Sequence, residues 1–286
     1  MSSEGEIVFS VMYALESLIM IVGNAFTIYV FWTRRLSLKR TGFLLINLAV
    51  ADLLVGVSTV VEIIQKSDNY EGVYSVFQYV SSCASVFCLV AISLERFYAI
   101  LWPLRHRTAS TCAYIVSIAL TWIGGLIVAM IFILTRLEIL PRVYDTVVSD
   151  ITLVSALVIF IGSYMTIRNR MKHTAPALDT HNRNSIEQNA KLSRTLFLMI
   201  ALSLLFWLPA IVLYTVRDIC NRCVPELLLS ISRALHLANS IINPVVYSYR
   251  MPMFKEAMEK CLNKCGFFKK QRNDEMPQSD TFDTVL

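Results

Sequence analysis

Asp52, Glu62, Glu95, Arg96, Arg233 and His236 are ionisable, and all six lie within or at the edge of strongly apolar stretches of the chain. Hydrocarbon offers such groups no partner, so each must pair, bind an ion or ligand, or face a water-filled cavity. The run Leu235-His-Leu-Ala-Asn239-Ser240-Ile-Ile-Asn243-Pro244-Val-Val-Tyr247 poses the same problem with amides, hydroxyls and a proline. A spanning helix tolerates these residues only where they meet other protein or water. The chemistry open to this set is ion pairing, cation binding, ligand recognition and helix bending.

The elements that must position these groups follow from composition. Hydrophobic residues make up 56% of 286, charged residues 16%, and mean hydropathy is +0.57. A soluble domain carries about a quarter charged residues, so the chain reads as a membrane protein. Seven apolar stretches run approximately over Ile7–Trp32, Gly42–Ile64, Val73–Leu101, Cys112–Leu134, Val143–Ile167, Leu196–Val216 and Leu227–Tyr249. Each approaches the roughly 20 residues needed to cross a bilayer. The expected fold is an all-α membrane protein, a seven-transmembrane helix bundle. Residues 1–6 form a short N-terminus, 7–249 the transmembrane domain, 250–265 an amphipathic eighth helix and 266–286 a disordered tail. The polar stretch Thr174–Glu187 also reads as flexible.

Basic residues set the expected orientation. Arg34, Arg35, Lys39, Arg40, Arg105, Arg107, Arg168, Arg170, Lys172 and Arg183 fall on one side, together with a basic tail; the other side has only Lys66, Arg136, Arg142, Arg217 and Arg222. The N-terminus is therefore expected outside and the C-terminus in the cytoplasm. No signal peptide is read, and the first stretch is expected to act as an uncleaved anchor. No nucleic-acid motif is present. Cys220 and Cys223 lie between the last two stretches, where a local disulfide is favoured over a redox or metal motif. Cys261 and Cys265 sit among basic residues, a setting for S-palmitoylation. The ending Thr284-Val285-Leu286 fits addition as a strand to a PDZ-domain protein.

The motifs then fall in order: Gly23-Asn24; Asn47-Leu-Ala-Val-Ala-Asp52; Glu95-Arg96-Phe97 followed by Pro103-Leu104; Trp122; Phe206-Trp207-Leu208-Pro209; and Asn243-Pro244-x-x-Tyr247 followed by Phe254. Over nearly the whole chain this resembles the rhodopsin-like family of G-protein-coupled receptors. Helix seven looks most like adenosine receptors. The short second outer loop and the absent helix-five proline look more like melanocortin, cannabinoid and lysophospholipid receptors. The resemblance also has gaps. Glu71 stands where the family places a disulfide cysteine, Thr135–Tyr144 holds no cysteine, and no helix-six acid is in register with Arg96, Glu187 being nearest.

The resemblance implies roles. Asp52, Ser85, Asn239, Ser240 and Asn243 stand where the family gathers an allosteric sodium ion; a protonated Asp52 in a polar network is the alternative. Trp207 and Pro209 form the bend of helix six. Arg96, at the cytoplasmic edge and outside the packed core, pairs at rest with Glu95 and meets a heterotrimeric G protein on activation. Leu104 is the plug that fits the G protein, and Tyr164 and Tyr247 hold the open state together with Asn243 and Pro244. Glu62, Gln78, Tyr79, Ser82, Trp207, Tyr214, Arg233 and His236 are the expected ligand contacts. Gln78 stands where amine receptors place an Asp, which argues against a monoamine. Glu62 lies ten residues outward of Asp52, and Arg233 ten outward of Asn243, so both sit about 15 Å above that level. They either pair with each other or bind a ligand's charges, with Glu16 a competing partner for Arg233. The expected protein is a plasma-membrane receptor, not an enzyme, with no cofactor beyond that sodium ion. Its ligand would be a nucleoside, lipid or peptide. The competing readings are a seven-helix transporter or channel, which should show internal repeats, and a non-signalling scaffold that reaches PDZ proteins through its tail, which would leave Arg96, Leu104 and Tyr247 idle; membrane lipids are expected partners on any reading.

Overall fold

The computed structural model describes residues 3–33, 41–65, 71–174, 180–220 and 222–264. Among the described residues, seven long helices run over Ser3–Thr33, Thr41–Ile64, Glu71–Leu101, Thr111–Arg136, Val143–Thr174, Thr180–Ile219 and Glu226–Arg250, called here helices one to seven. A short loop helix, Pro103–Thr108, follows helix three, and a tail helix, Pro252–Lys264, follows helix seven. Local chemistry accounts for several ends. Pro103 occupies the first turn of the loop helix, where a missing N–H costs nothing. The Ser110 hydroxyl accepts from the Ala113 amide at 3.3 Å and caps helix four.

The bundle is apolar outside and carries its polar groups inside, within an apolar core. Ile115, Leu120, Leu126 and Ile127 on helix four are exposed, as are Ile7, Leu15 and Val22 on helix one. Asn24, Asp52, Ser85, Asn239, Ser240 and Asn243 are buried. A soluble fold inverts this order, whereas hydrocarbon demands it. Among the described residues, helices one to six are long and apolar enough to cross a membrane. Helix seven has the length at 25 residues, but it spends much of its sequence on polar groups that face inward.

Helix three is the hub, packing on helices two, four, five and six. Helix one leans on helices two and seven, and the ring closes through contacts of helix five with six and six with seven. The tail helix folds back under helices one and seven, with Phe254 buried against Phe26, Phe31 and Tyr247. Helices three and four come close together at Gly125. A Cβ there would sit 3.0 Å from the Val80 carbonyl oxygen and 3.3 Å from the Ala84 nitrogen.

Three boundaries differ from the sequence reading. Helix one begins at Ser3, so Ser3–Glu6, expected in the N-terminal segment, form its first turn. Helix six begins at Thr180, so Thr180–Glu187 is helical where a flexible stretch was expected. Once a packed core has nucleated a helix, each added residue gains a hydrogen bond, and neither Pro nor Gly interrupts this stretch. The tail helix starts at Pro252 rather than 250, because Met251 leaves helical geometry and ends helix seven. Cys265, Thr284, Val285 and Leu286 lie outside the described residues, as does the side chain of Glu187.

Gly125→Ala should force helices three and four apart and lower stability by about 1–3 kcal/mol, the usual cost of overpacking. Gly162→Ala is the control, since nothing lies within 4 Å of its added Cβ. Thermal unfolding of the two purified variants should show a lowered midpoint for the first and none for the second.

Candidate functional site

The described side chains place three polar clusters along the bundle: one around Arg96, one around Asp52 and one around Arg233. At the first, Arg96 is only 3% exposed. Its Nε and Nη2 both donate to the Glu95 carboxylate, and Nη2 also donates to the Thr41 hydroxyl on helix two. Thr41 in turn donates to Glu95 at 3.1 Å. The Nε2 of His106, on the loop helix, lies 2.8 Å from Glu95 Oε1. The Tyr114 hydroxyl on helix four reaches both His106 at 3.1 Å and Glu95 at 3.4 Å. Four elements thus converge on one carboxylate. Arg96 belongs to the packed core, which corrects the expectation that it faces the cytoplasm: a guanidinium shared between Glu95 and Thr41 is satisfied without water. Leu104, two residues before His106, is 77% exposed.

The second cluster is buried midway. Asp52 accepts from Ser85 on helix three at 2.8 Å, and from Ser240 and Asn243 on helix seven at 2.9 and 2.6 Å. Asn24 on helix one donates to the Ser240 carbonyl at 3.0 Å. Asn239 is buried but makes no bond to Asp52, and its Oδ1, like that of Asn243, has no donor. A polar network alone therefore satisfies the Asp52 oxygens. The two orphaned amide oxygens are acceptors of the kind a hard cation takes, so the donor set also fits sodium. Tyr247 is buried between Phe31 and Phe254, its hydroxyl unpaired, while Tyr164 packs on Phe197 of helix six. Neither tyrosine bonds Arg96.

Above Asp52, Trp207 packs against His236 with ring centroids 4.0 Å apart, and its Nε1 lacks an acceptor. Pro209 follows within the same helix and removes a backbone donor just beyond it. Ser82 is buried with an unpaired hydroxyl. Gln78 donates to Thr59 on helix two at 2.9 Å. Tyr79 turns toward helix five, bonding Asp145 and Ser149, each at 2.6 Å, and stacks on Phe132 of helix four. Tyr214 is partly exposed.

The third cluster joins helices one, two and seven. Arg233 donates to Glu62, and its guanidinium lies 5.1 Å from the Tyr13 ring centroid. The Tyr13 hydroxyl donates to the Ser230 carbonyl at 2.9 Å. Glu16 does not compete for Arg233; one of its carboxylate oxygens is buried without a partner. At the same end, Thr215 donates to Asp150, and Thr146 to Asp218. Cys220 and Cys223 are joined by a disulfide. Cys261 is exposed and free. A cavity of about 420 Å³ lies elsewhere, between helices two, three and four, lined by Phe87, Leu94, Glu95, Tyr114 and Ser117 among others. None of the expected ligand contacts borders it.

Sequence reasoning did not find Thr41, His106, Tyr114, Tyr13, Asp145 or Ser149. Most sit near helix ends, where polar residues are ordinary and carry no signal. The Glu62–Arg233 pair makes a direct test. Glu62→Gln and Arg233→Gln should each destabilise the purified protein by about 1–2 kcal/mol, less than a fully buried pair because both side chains keep some exposure. The charge-swapped double variant should recover part of that loss in thermal unfolding; a cycle without coupling would show that the pair contributes nothing.

The family model described as the 7 transmembrane receptor (rhodopsin family) matches residues 23–247. The chain is 26% identical to human neuropeptide FF receptor 1, with 88% of this chain and 69% of the relative covered. It is 25% identical to sphingosine 1-phosphate receptor 1 of Danio rerio, covering 90% and 78%. It is 22% identical to adenosine receptor A2a of Canis lupus familiaris, covering 92% and 74%. With most of its length matched and Asp52, Arg96, Pro209 and Pro244 set in one helical bundle, the chain belongs to the rhodopsin family of seven-transmembrane receptors.

Proposed function

We propose that this receptor sits in the plasma membrane with its Arg96 end in the cytoplasm, binds an extracellular ligand at the Arg233 end, and activates heterotrimeric G proteins. The observation that carries the proposal is the Arg96 cluster. A guanidinium held by an adjacent acid and a helix-two hydroxyl is a restrained cation, beside a short helix that presents exposed Leu104. A G protein would supply an alternative acceptor for Arg96 and a socket for Leu104.

Transmission runs through helix six. The Trp207–His236 contact stands beside a proline that has already given up a backbone bond. Ligand pressure on Trp207 shifts the helix about that weak point, and its cytoplasmic half swings outward, opening room for Arg96. Tyr164 and Tyr247, unbonded to Arg96 in this conformation, then close on the opened space. Asp52, Ser85, Ser240, Asn239 and Asn243 would hold a sodium ion, which would supply positive charge to the Asp52 carboxylate between helices two, three and seven.

The relatives' names divide among a peptide, a lysophospholipid and a nucleoside, so ligand class is an experimental question. A transporter is disfavoured because the buried polar groups fall at receptor positions and the sequence shows no internal repeat. Nucleotide exchange by a panel of purified Gα subunits, measured against nucleosides, lysophospholipids and peptides, tests the reading. Exchange that no member of the panel supports, with or without ligand, would sink it. Tail attachment through Thr284–Leu286 to PDZ domains and acylation of Cys261 and Cys265 are separate proposals, open to pull-down and mass spectrometry.

Two variants sharpen the mechanism. Arg96→Gln keeps some hydrogen bonding but removes the charge, and exchange should fall roughly tenfold or more, a loss of at least about 1.4 kcal/mol in the coupling step. Because Arg96 is packed, surface expression and melting midpoint should be followed together with exchange. For sodium, the melting midpoint of the purified receptor should rise in NaCl but not in choline chloride of equal strength. Asp52→Asn should abolish that difference; equal midpoints in both salts for the unaltered receptor would leave Asp52 in a network without the ion.

A further inference from the structure

His106 links two parts of the coupling machinery that the sequence leaves apart. Its Nε2 is 2.8 Å from Glu95 Oε1 and 3.1 Å from the Tyr114 hydroxyl. It sits on the six-residue loop helix that presents Leu104. We infer that His106 is a positioning residue for G-protein coupling, keeping Glu95 paired when Arg96 leaves and taking up one proton as it does so. The inference rests on the G-protein reading above.

The charges around this imidazole are few. Helix three contributes Glu95 and Arg96, with the Tyr98 ring centroid 6.1 Å away. Helix four contributes Tyr114, helix two only the uncharged Thr41, and the loop helix itself Arg105. These are the titratable and charged groups among the described side chains. In the closed arrangement Glu95 and Arg96 neutralise each other, and the imidazole completes the hydrogen bonding.

When Arg96 turns to a G protein, Glu95 stays where it is. Its side chain is 8% exposed. A buried carboxylate without a counter-charge is strongly disfavoured. His106 is already in contact with it, and with a side chain 23% exposed it also touches solvent. Histidine is the side chain whose charge changes between pH 5 and 8. One proton from cytoplasmic water, added to the free ring nitrogen, restores an ion pair at Glu95 and keeps the Leu104-bearing helix fastened to helix three. No other bond changes.

The sign follows from linkage. The open state holds one more proton than the closed state, so falling cytoplasmic pH favours opening. For a single proton the limit is about tenfold in the opening equilibrium per pH unit. Tyrosine in place of the histidine could fill the space and hydrogen-bond, but it could not supply the charge.

The test uses the full chain in lipid nanodiscs, with a polarity-sensitive fluorophore on Arg194→Cys in helix six and Ser replacing Cys112, Cys261 and Cys265. Between pH 8 and 5.5 the unaltered His106 form should open progressively, with a slope up to the tenfold limit. His106→Gln, which can hydrogen-bond but not titrate, should be flat; His106→Asn serves the same purpose should the Gln variant fail to fold. His106→Arg should hold the acid-limit signal at every pH. A flat profile with His106 present overturns the inference. So does a slope that survives in His106→Gln, which would assign the proton to Glu95 itself. Nucleotide exchange on the Gα panel in the same preparations separates the two readings: exchange absent at all pH values defeats coupling, while the fluorophore still decides the role of His106.

Discussion

A carboxylate removed from water must be met by donors or by a cation, and in this bundle Asp52 is met from two neighbouring helices. Ser85 reaches it from helix three, and Ser240 and Asn243 reach it from helix seven. Asn24 ties helix one to the Ser240 carbonyl. Helices one, two, three and seven therefore share a single electrostatic obligation, and apolar packing alone could not provide it. Lipid tails are as apolar as leucine, so burying leucine between helices gains little over leaving it in the bilayer. Specific polar contacts must set the registers. The same logic recurs at both ends, where Glu95 gathers Arg96, Thr41, His106 and Tyr114, and Glu62 holds Arg233.

These networks are incomplete at several points. Trp207 Nε1, the hydroxyls of Ser82 and Ser203, and the Oδ1 atoms of Asn239 and Asn243 are buried without protein partners. Buried polar groups are nearly always satisfied, so such atoms mark places that water, an ion or a second arrangement can complete. They fall on helices three, six and seven, between the Asp52 cluster and the Trp207–His236 contact. Together with the unpaired atoms of Glu16, Asn24, Ser93 and Tyr247, they describe a bundle whose core has room for more than one hydrogen-bonding solution.

How much of this was legible in the sequence depends on distance from water. Asp52, Arg96 and Asn243 announce themselves because an apolar run makes any charge or amide conspicuous, and the all-helical class follows from the same contrast. The equal depth of Glu62 and Arg233 was readable from helical rise, and the structure pairs them. Thr41, His106 and Tyr114 were not readable, because hydroxyls and imidazoles near a helix end look like ordinary interfacial residues. Tyr79 was read as facing a ligand, yet it turns to Asp145 and Ser149. Which way a side chain turns on a helix depends on its neighbours, and those come from helices four and five. The burial of Arg96 escaped for a related reason, since its helix-two partner Thr41 lies 55 residues away.

Tyr79 carries a consequence of its own. Glu71 and the segment Thr135–Tyr144 offer no cysteine to stitch the start of helix three to the loop before helix five. In that neighbourhood the Tyr79 hydroxyl bonds Asp145 and Ser149, and its ring lies on Phe132. A disulfide fixes two backbones at one spacing for the life of the molecule. A phenol between a carboxylate and a hydroxyl can exchange one acceptor for the other, at a cost far below that of breaking a covalent bond. Helices three, four and five are therefore joined at Tyr79 by exchangeable contacts, where a disulfide would join two backbones permanently.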